Sequence, residues 1–442
     1  MRTDAELAAQ VMERIDALAK ISEDPGRLTR TYGSPAMRRA NDLVAGWMRE
    51  SGMTVEVDPI GNLIGRYRAA APEAKTFLLG SHLDTVRDAG KFDGALGVLV
   101  ALACIQKLHS GNQRLPFGVS VLAFADEEGV RFHSSYLGSR VVAGTFDFDD
   151  LKRVDSEGVS LREAILRFGG DPDVLHGARL DSKQLLGYVE VHIEQGPLLE
   201  IKRLPVGVVS AIAGQSRISA GFNGFAAHAG TTPMAARRDA LAAAAHFIVG
   251  AERLGRNTAG LVVTVGEISV QPGASNVIPG CARLSVDVRH PEDTVRESSC
   301  EALRLLGAEV ASERLLGLDE SLLRAIAQSQ SPELSATLKG VSIKCGLLWQ
   351  VVQSTSSVQC STELTALLKE ATVQHVPSVL EIPSGAGHDA AALAAITPVA
   401  MLFVRCKDGI SHHPDESVAE ADVLVAIRVL GRFLELLAKK HA

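Results

Sequence analysis

The sequence predicts an α/β protein with a mostly parallel, helix-covered sheet, into which a second unit of the α+β type is inserted. From about Lys75, short apolar runs alternate with helical stretches, as is typical of a parallel sheet. Near Val206 the pattern changes to alternating small, apolar and polar residues. After Ser361 the first pattern resumes, so the second unit interrupts the first.

The first unit contains three apolar strands that end in polar residues. Their sequences are TFLLGSH, FGVSVLAFADEE and LLGYVEVHIEQGP. GALGVLVALACIQKLH is predicted to be a buried helix and PVAMLFVRC a further buried strand. Because ligands bind beyond the carboxyl ends of strands in open α/β sheets, we expect the functional site at these strand ends.

The second unit has a β-α-β-β-α pattern. GVVSAIAGQSRISAGFNGFAA resembles an antiparallel strand pair, and a helix follows from Pro233 to about Leu254. Two alternating strands come next, and PEDTVRESSCEALRLL opens with proline and acids as a helix does. We expect the first domain to comprise residues 1–210 and 355–442 and the second residues 211–354. The stretch 307–339 is predicted to be polar and irregular.

Composition and charge indicate which binding partners and which cellular compartment to expect. The chain has 442 residues, an apolar fraction of 46% and a net charge of −7, which favours neither nucleic acid nor an anionic membrane as partner. The amino terminus is charged and amphipathic, unlike a signal peptide, and the longest apolar run, Ala95–Ile105, is too short to span a bilayer. Six cysteines without CxxC spacing favour the cytoplasm.

Five clusters combine imidazole and carboxylate groups as a metal site would. They are Ser81–Thr85, Lys91–Gly94, Ala125–Gly129, Glu190–Gln195 and Ser411–Glu416. Residues i and i+2 of an extended segment share a face, so Asp84 is placed to accept the second N–H of a metal-bound His82. Three successive acids after a core strand, Asp126–Glu128, repel one another unless a cation or proton relieves them.

Each cluster alone also has a structural interpretation. His82 and Asp84 could cap a loop, Asp93 could cap the helix that follows it, and the acid run could be a solvated face. Together, imidazole and carboxylate without thiolate favour Zn²⁺, Mn²⁺, Co²⁺ or Ni²⁺. Two such ions bridged by one carboxylate would share an activated water.

Ten motifs give the chain a family resemblance. They are GSHLDTV, KFDGALGV, FADEEGVRF, LGSR, VHIEQGP, HAGTTPM, SNVIPG, DVRH, PSGAGHDA and GISHHPDE, between about residues 30 and 420. As a set they resemble the amidase, hydantoinase/carbamoylase branch of the M20-type metallohydrolases, which includes allantoate amidohydrolases, N-carbamoyl-L-amino-acid hydrolases and β-ureidopropionases. The resemblance implies a dinuclear-metal, aminopeptidase-like catalytic domain with an inserted ferredoxin-like lid or dimerisation domain.

The resemblance also implies roles for individual residues. His82 and His192 would bind one of two divalent ions (Zn or Mn, with Co or Ni possible), Glu128 and His412 the other, and Asp93 would bridge them. Glu127 would be the general base. His228 would stabilise the oxyanion from the neighbouring subunit, which implies a homodimer. The residues expected to bind substrate are Gln195, Asn276, Arg289, Gly387 and His388.

Two of these residues keep a second interpretation. Arg289 is expected to bind a substrate carboxylate in bidentate geometry, but beside His290 it could be an ordinary surface pair. His388 could be a histidine at a helix start, satisfied by the backbone.

The function expected from the resemblance is hydrolysis of a ureido group on a small acid, with release of ammonia and carbon dioxide. Allantoate is the favoured substrate, and an N-carbamoyl-L-amino acid or β-ureidopropionate is the alternative. A dipeptidase or aminoacylase is disfavoured by HIEQGP, because Gln195 would read the ureido group. An inactive binding protein is disfavoured because Glu127 and every expected ligand are present.

Overall fold

The chain divides into two compact units, and the computed structural model describes residues 2–315 and 346–442. One unit comprises Met1–Ile212 and Gln359–Ala442, and the other Ala213–Val358. The division falls close to the predicted boundaries after residues 210 and 354. The roles assigned to the two units, catalytic domain and lid, stay predictions.

The first unit contains a nine-stranded mixed sheet. Its strands are β1 (Thr54–Val57), β2 (Leu63–Tyr67), β3 (Thr76–His82), β4 (Gly118–Phe124), β5 (Leu185–Ile193), β6 (Val206–Ile212), β13 (Val358–Gln359), β14 (Glu381–Ser384) and β15 (Val399–Val404). The order is β1-β2-β4-β3-β5-β15-β6-β13, with β14 paired to β6. The four central strands, β4, β3, β5 and β15, are parallel, whereas β2 and β6 join them antiparallel. The predicted parallel sheet is therefore the centre of a mixed one.

Helices cover this sheet. They are α1 (Asp4–Ala19), α2 (Pro35–Glu50), α3 (Ala95–Ser110), α4 (Leu137–Ala143), α5 (Leu161–Arg167), α6 (Leu198–Lys202), α9 (Thr362–Val373), α10 (Asp389–Leu393) and α11 (Glu420–Lys440). Helix α3 is buried from Ala95 through Ile105 and packs against β3, β5, α1 and α11. The longest apolar run is thus a core helix, as predicted. Among the described helices, none combines the length and apolar character needed to cross a membrane.

The second unit has the ferredoxin-like arrangement. Its elements are β7 (Gly214–Asn223), β8 (Ala227–His228), α7 (Ala240–Asn257), β9 (Val262–Gln271), β10 (Val277–Ile278), β11 (Cys281–His290), α8 (Asp293–Leu315) and β12 (Leu347–Thr355). The main sheet has the order β12-β7-β11-β9, with antiparallel neighbours throughout. Helices α7 and α8 cover one face, where Phe222 and Phe247 are fully buried. The opposite face carries outward side chains such as Arg283 and Arg289.

Two predictions about this region were wrong in detail. The predicted strand pair is two strands of different sheets, because β6 joins the large sheet and β7 the small one. Successive buried residues in β6 suit a sheet covered on both faces, whereas β7 alternates in burial. The irregular stretch predicted from residue 307 begins as helix, since α8 continues to Leu315 with Gly307 and Val310 buried. Residues 316–339 of that stretch lie outside the described residues.

Candidate metal centre

Parallel neighbouring strands bring three of the clusters to one edge of the large sheet. Strand β3 ends at His82, β4 ends just before the turn that carries Glu127 and Glu128, and β5 contains His192 near its end. Strands β4 and β5 both pair with β3 in parallel. Their carboxyl ends therefore meet, and the side chains of these residues are buried or nearly so.

The expected ligands converge on Asp93. Its Oδ1 lies 3.0 Å from His192 Nε2 and 3.7 Å from His82 Nε2. Its Oδ2 lies 3.1 Å from His412 Nε2, which is also 3.3 Å from Glu128 Oε1. The result is two groups that share Asp93, His82–Asp93–His192 and Asp93–Glu128–His412, each with ligand atoms within 4.8 Å of one another.

Asp93 is not the cap of the helix that follows it. The N-cap of α3 is Gly94, which has φ 66° and makes no side-chain capping bond. The carboxylate of Asp93 instead faces the histidines. The capping interpretation of this acid is therefore wrong.

Two backbone carbonyls orient the imidazoles. His82 Nδ1 lies 3.0 Å from the carbonyl oxygen of Asp84, and His192 Nδ1 lies 3.0 Å from that of Ile193. Because a carbonyl can only accept, both Nδ1 atoms carry a hydrogen, and the neutral form of each ring has its lone pair on Nε2, the ring nitrogen that faces Asp93. This is the tautomer that a histidine ligand bound through Nε2 requires.

The carboxylate of Asp84 mainly orders the acidic turn. It accepts the backbone N–H of Glu127 at 3.2 Å and of Glu128 at 3.1 Å, while it lies 3.6 Å from His82 Nδ1. The predicted contact between Asp84 and His82 is thus made more closely by the backbone carbonyl of Asp84 than by its side chain.

The buried carboxylates and imidazoles of the cluster shift one another's pKa values. Burial, and then the neighbouring carboxylate of Glu128, raise the pKa of Glu127 well above its usual range. Burial would also raise the pKa of Asp93, but hydrogen bonds from His192 and His412 outweigh it and lower that pKa well below normal. The bond to Asp93 raises the pKa of His412 to about 10. The donor atoms of the cluster are carboxylate oxygens and imidazole nitrogens, a set that suits divalent cations.

Gln195 and Ser411 also contact Asp93. Gln195 Nε2 donates to Asp93 Oδ2 at 3.0 Å, and Ser411 Oγ donates to the same oxygen at 2.9 Å. Gln195 has φ 57°, and its Oε1 is buried with no hydrogen-bond partner in the part of the chain that the structure describes. The amide nitrogen of Gln195 is therefore engaged with the cluster, and its oxygen can accept a further hydrogen bond.

The loop before α10 carries Gly387 and His388. His388 is the N-cap residue, as its second interpretation expected, but its Nε2 lies 2.8 Å from Ser384 Oγ. Its ring packs edge-on against His192 at 4.5 Å between centroids, and burial lowers its pKa well below normal. A Cβ on Gly387 would lie 1.8 Å from the hydroxyl oxygen of Tyr136, so this position needs glycine.

Within the second unit, the structure places Asn276 beside the loop of His228. His228 pairs with Val277 across the two short strands, and the carbonyl of Asn276 accepts from the N–H of the residue after His228. His228 Nδ1 accepts the backbone N–H of Gly230 at 3.1 Å and of Thr231 at 3.2 Å. The neutral ring therefore carries its hydrogen on Nε2, as an exposed donor.

Arg289 lies on the open face of the second unit's sheet. Its Nε and Nη2 donate to Asp287 at 2.7 and 3.2 Å, and Gln215, opposite Arg289 in the register, also donates to Asp287 at 2.5 Å. His290 is buried on the other face and contacts the carbonyl oxygen of Ala259. Arg289 and His290 are therefore not the surface pair of the second interpretation.

Sequence reasoning left four polar residues of these clusters without a role: Ser411, Glu416, Gln215 and Asp287. Ser411 and Glu416 flank His412 within GISHHPDE, and Asp287 opens DVRH. The sequence could have drawn attention to these three residues, because each lies in the same motif as a residue with an assigned role. Gln215 can be placed beside Arg289 only once β7 is known to pair with β11.

Strand ends that gather imidazole and carboxylate groups around one shared aspartate are typical of metallohydrolases. The model of peptidase family M20/M25/M40 matches residues 78–436, and the chain belongs to this family. The family predicted from the motifs and the α/β fold predicted from the alternation of strands and helices are thereby confirmed.

The relatives place the chain among hydrolases of carbon–nitrogen bonds other than peptide bonds. It is 38% identical to the allantoate deiminase of Arabidopsis thaliana over 97% of this chain and 82% of the relative. It is also 38% identical to the N-carbamoyl-L-amino acid amidohydrolase of Geobacillus stearothermophilus, over 95% and 96%. A solved amidase of the hydantoinase/carbamoylase family from Burkholderia multivorans is 31% identical, with a TM-score of 0.84 over 97% of both chains.

Proposed function

We propose that this protein hydrolyses a ureido carbon–nitrogen bond in a small carboxylate substrate, with allantoate favoured. The observation that carries the proposal is the convergence of His82, His192, Glu128 and His412 on Asp93, with Glu127 beside them. Relatives named for allantoate and for N-carbamoyl-L-amino acids are equally identical to the chain at 38%, so the N-carbamoyl-L-amino acid is the second candidate.

Two divalent ions, Zn²⁺ or Mn²⁺ with Co²⁺ or Ni²⁺ as alternatives, are part of the proposal. One would be held by His82, Asp93 and His192, and the other by Asp93, Glu128 and His412. When bound, such ions lower the pKa of water and stabilise negative charge on a carbonyl oxygen.

Glu127 is proposed as the general base. It lies 4.0 Å from His82 Nε2 through Oε2 and belongs to a group with His82 and Glu128. A carboxyl at this position can accept a proton from the attacking water and pass it to the departing nitrogen. Neighbouring positions in the turn thus take different tasks, with Glu128 as ligand and Glu127 as proton carrier.

His228 is proposed to stabilise the oxyanion of the tetrahedral intermediate by donating from Nε2. The two backbone N–H groups on its Nδ1 support this role, because they leave the Nε2 hydrogen for a substrate. In the proposal, His228 of the partner subunit completes each site.

Five residues are proposed to bind substrate. Arg289, aligned by Asp287, would bind the carboxylate. The unpartnered Oε1 of Gln195 would accept a ureido N–H, a donor that an ester substrate lacks. Asn276, Gly387 and His388 would complete the pocket.

A homodimer is proposed through the second unit. Among the described strands, β9 is an outer strand of the small sheet, and Val262 and Ile268 on it are 52% and 48% exposed. An exposed strand edge with apolar side chains suits pairing with a second copy. Free thiols at the five described cysteines agree with a cytoplasmic location, and neither nucleic acid nor membrane is proposed as a partner.

The test is ammonia release from protein reconstituted with Mn²⁺ or Zn²⁺. Allantoate, N-carbamoyl-L-amino acids, β-ureidopropionate and simple dipeptides are offered in parallel, with the Glu127→Gln protein as blank. Turnover of one ureido acid supports the proposal and selects between its two candidates. Turnover of dipeptides alone, or of nothing by metal-loaded protein, would overturn it.

A further inference from the structure

We propose that Glu416 is a positioning residue that ties the turn carrying Asp93 to the loop carrying His412, and so sets the affinity of the site for its metal. The inference rests on the proposed metal-dependent function. Glu416 contacts none of the residues proposed to bind substrate, and none of the three imidazoles of the cluster.

The contacts of Glu416 join two distant segments of the chain. Its Oε1 accepts the backbone N–H of Phe92 at 2.7 Å and of Asp93 at 3.1 Å. Its Oε2 lies 3.2 Å from Ser411 Oγ, the hydroxyl that also lies 2.9 Å from Asp93 Oδ2. One carboxylate thus fixes the backbone of Asp93 and, through Ser411, its side chain.

The hydrogen bonds from Phe92 and Asp93 to Glu416 are buried, so their loss is costly. Glu416 is 3% exposed and Phe92 1%, so water cannot readily replace the carboxylate as acceptor for these two N–H groups. The residues precede α3, whose N-cap Gly94 supplies no side-chain bond, so the helix itself does not satisfy them. Without Glu416 the turn that presents Asp93 has lost its acceptor.

Close packing shows that the carboxylate is held in place. A Cβ on Gly90 would lie 2.2 Å from Glu416 Cδ, so the backbone of Gly90 lies directly against the side chain. Such an approach is compatible only with glycine.

Glu416 is not itself a metal ligand in this arrangement. It is absent from the ligand groups formed by the described residues; its Oε1 accepts two backbone N–H groups, and its Oε2 lies within hydrogen-bond distance of Ser411 Oγ. Asp93 belongs to both of the groups proposed as metal sites, and His412 to one of them. A displacement of Asp93 would therefore alter both groups, and the loss of an outer partner weakens metal binding in other sites.

The experiment measures the dissociation constants of Mn²⁺ and Zn²⁺ by competition with a chelator, using the full chain. Glu416→Ala is expected to weaken binding by about 10- to 100-fold. Glu416→Gln keeps an oxygen for Phe92 and Asp93 and is expected to stay within about threefold of the native value. Ser411→Ala keeps the bonds from the backbone of Phe92 and Asp93 to Glu416, but it removes the hydroxyl between Glu416 and the side chain of Asp93. This variant is expected to weaken metal binding by less than Glu416→Ala.

Asp239→Ala is the matched control. Asp239 accepts two backbone N–H groups at 3.0 Å at the start of α7, in the unit without proposed metal ligands. Its loss is expected to lower thermal stability without changing metal affinity, which separates a general loss of hydrogen bonds from a positioning role.

The outcomes are distinct. Native affinity in Glu416→Ala, or in Ser411→Ala if the first variant does not fold, would overturn the inference while leaving the proposed function intact. A native chain that binds neither ion would overturn the proposed function and this inference together. Weakening in both variants with native affinity in Glu416→Gln and Asp239→Ala would establish it.

Discussion

Adjacent acids in the turn after β4 differ in their surroundings although they share a backbone. Glu128 Oε1 faces His412, whereas Glu127 Oε2 faces His82. The carboxylate of Asp84 accepts both backbone N–H groups and so fixes the turn that separates them. At the scale of single residues, this separation is what would allow Glu128 to be a ligand and Glu127 a base, as proposed.

We expect Glu127→Gln to bind divalent metal normally and to lose turnover by about 10²- to 10⁴-fold, because the amide cannot carry the proton. Metal content by elemental analysis and ammonia release together test this. Glu128→Gln is the contrast, with metal content and turnover both reduced. Normal turnover in Glu127→Gln would exclude it as the base.

A second prediction at the residue scale concerns the binding of the substrate carboxylate by Arg289. Arg289→Ala should raise KM for carboxylate substrates by about 10-fold or more, since a charge-assisted hydrogen bond contributes roughly 1.5–3 kcal/mol. Arg283, exposed on the same face of β11, is the matched control, and Arg283→Ala should leave KM unchanged. Equal effects in both variants would indicate general charge attraction instead of an anchor.

At the scale of elements, the loop before α10 is shaped by its contact with the residue that precedes α4. Tyr136 has φ 62°, and its hydroxyl occupies the space where a side chain at Gly387 would lie. The same loop places His388 against His192. The conformation of one loop thus depends on the packing of another that lies far away in sequence.

We expect Gly387→Ala to lower stability by about 1–3 kcal/mol through overpacking, and to lower activity by displacing His388. Tyr136→Phe removes the atom at 1.8 Å and leaves a ring carbon at 3.0 Å, so the double variant should recover part of the loss. Thermal unfolding and ammonia release measure both effects. No recovery in the double variant would place the conflict elsewhere.

At the scale of the whole molecule, the proposed chemistry is divided between the two units. Glu127 and the candidate ligands belong to the first, while His228, Asn276 and Arg289 belong to the second. If sites are completed in trans, a subunit that lacks one contribution can be complemented by a subunit that lacks the other.

Mixing inactive His228→Ala with inactive Glu127→Gln should therefore restore up to about one quarter of native activity in randomly assorted dimers, because one of the two sites is intact in half of them. The measurement is ammonia release after co-refolding, with each variant alone as the control. Absence of rescue in verified mixed dimers would mean that each site is completed within its own subunit.

The sequence by itself determined the elements and the ligand candidates. Apolar periodicity located the central strands and the buried helix Ala95–Ile105, and the motifs supplied His82, Asp93 and Glu128 with their family. These features are visible because burial and secondary structure leave a periodic trace within a few residues.

Tertiary structure decided what depends on contacts between distant segments. The sequence did not show that β6 and β7 belong to different sheets, that the Asp84 carboxylate orders the acidic turn, or that Glu416 contacts Asp93 from 323 residues away. Each follows from strand order or from the packing of one loop on another. Local pattern carries no record of such contacts, because a hydrogen-bond partner is chosen by position in space and not by separation along the chain.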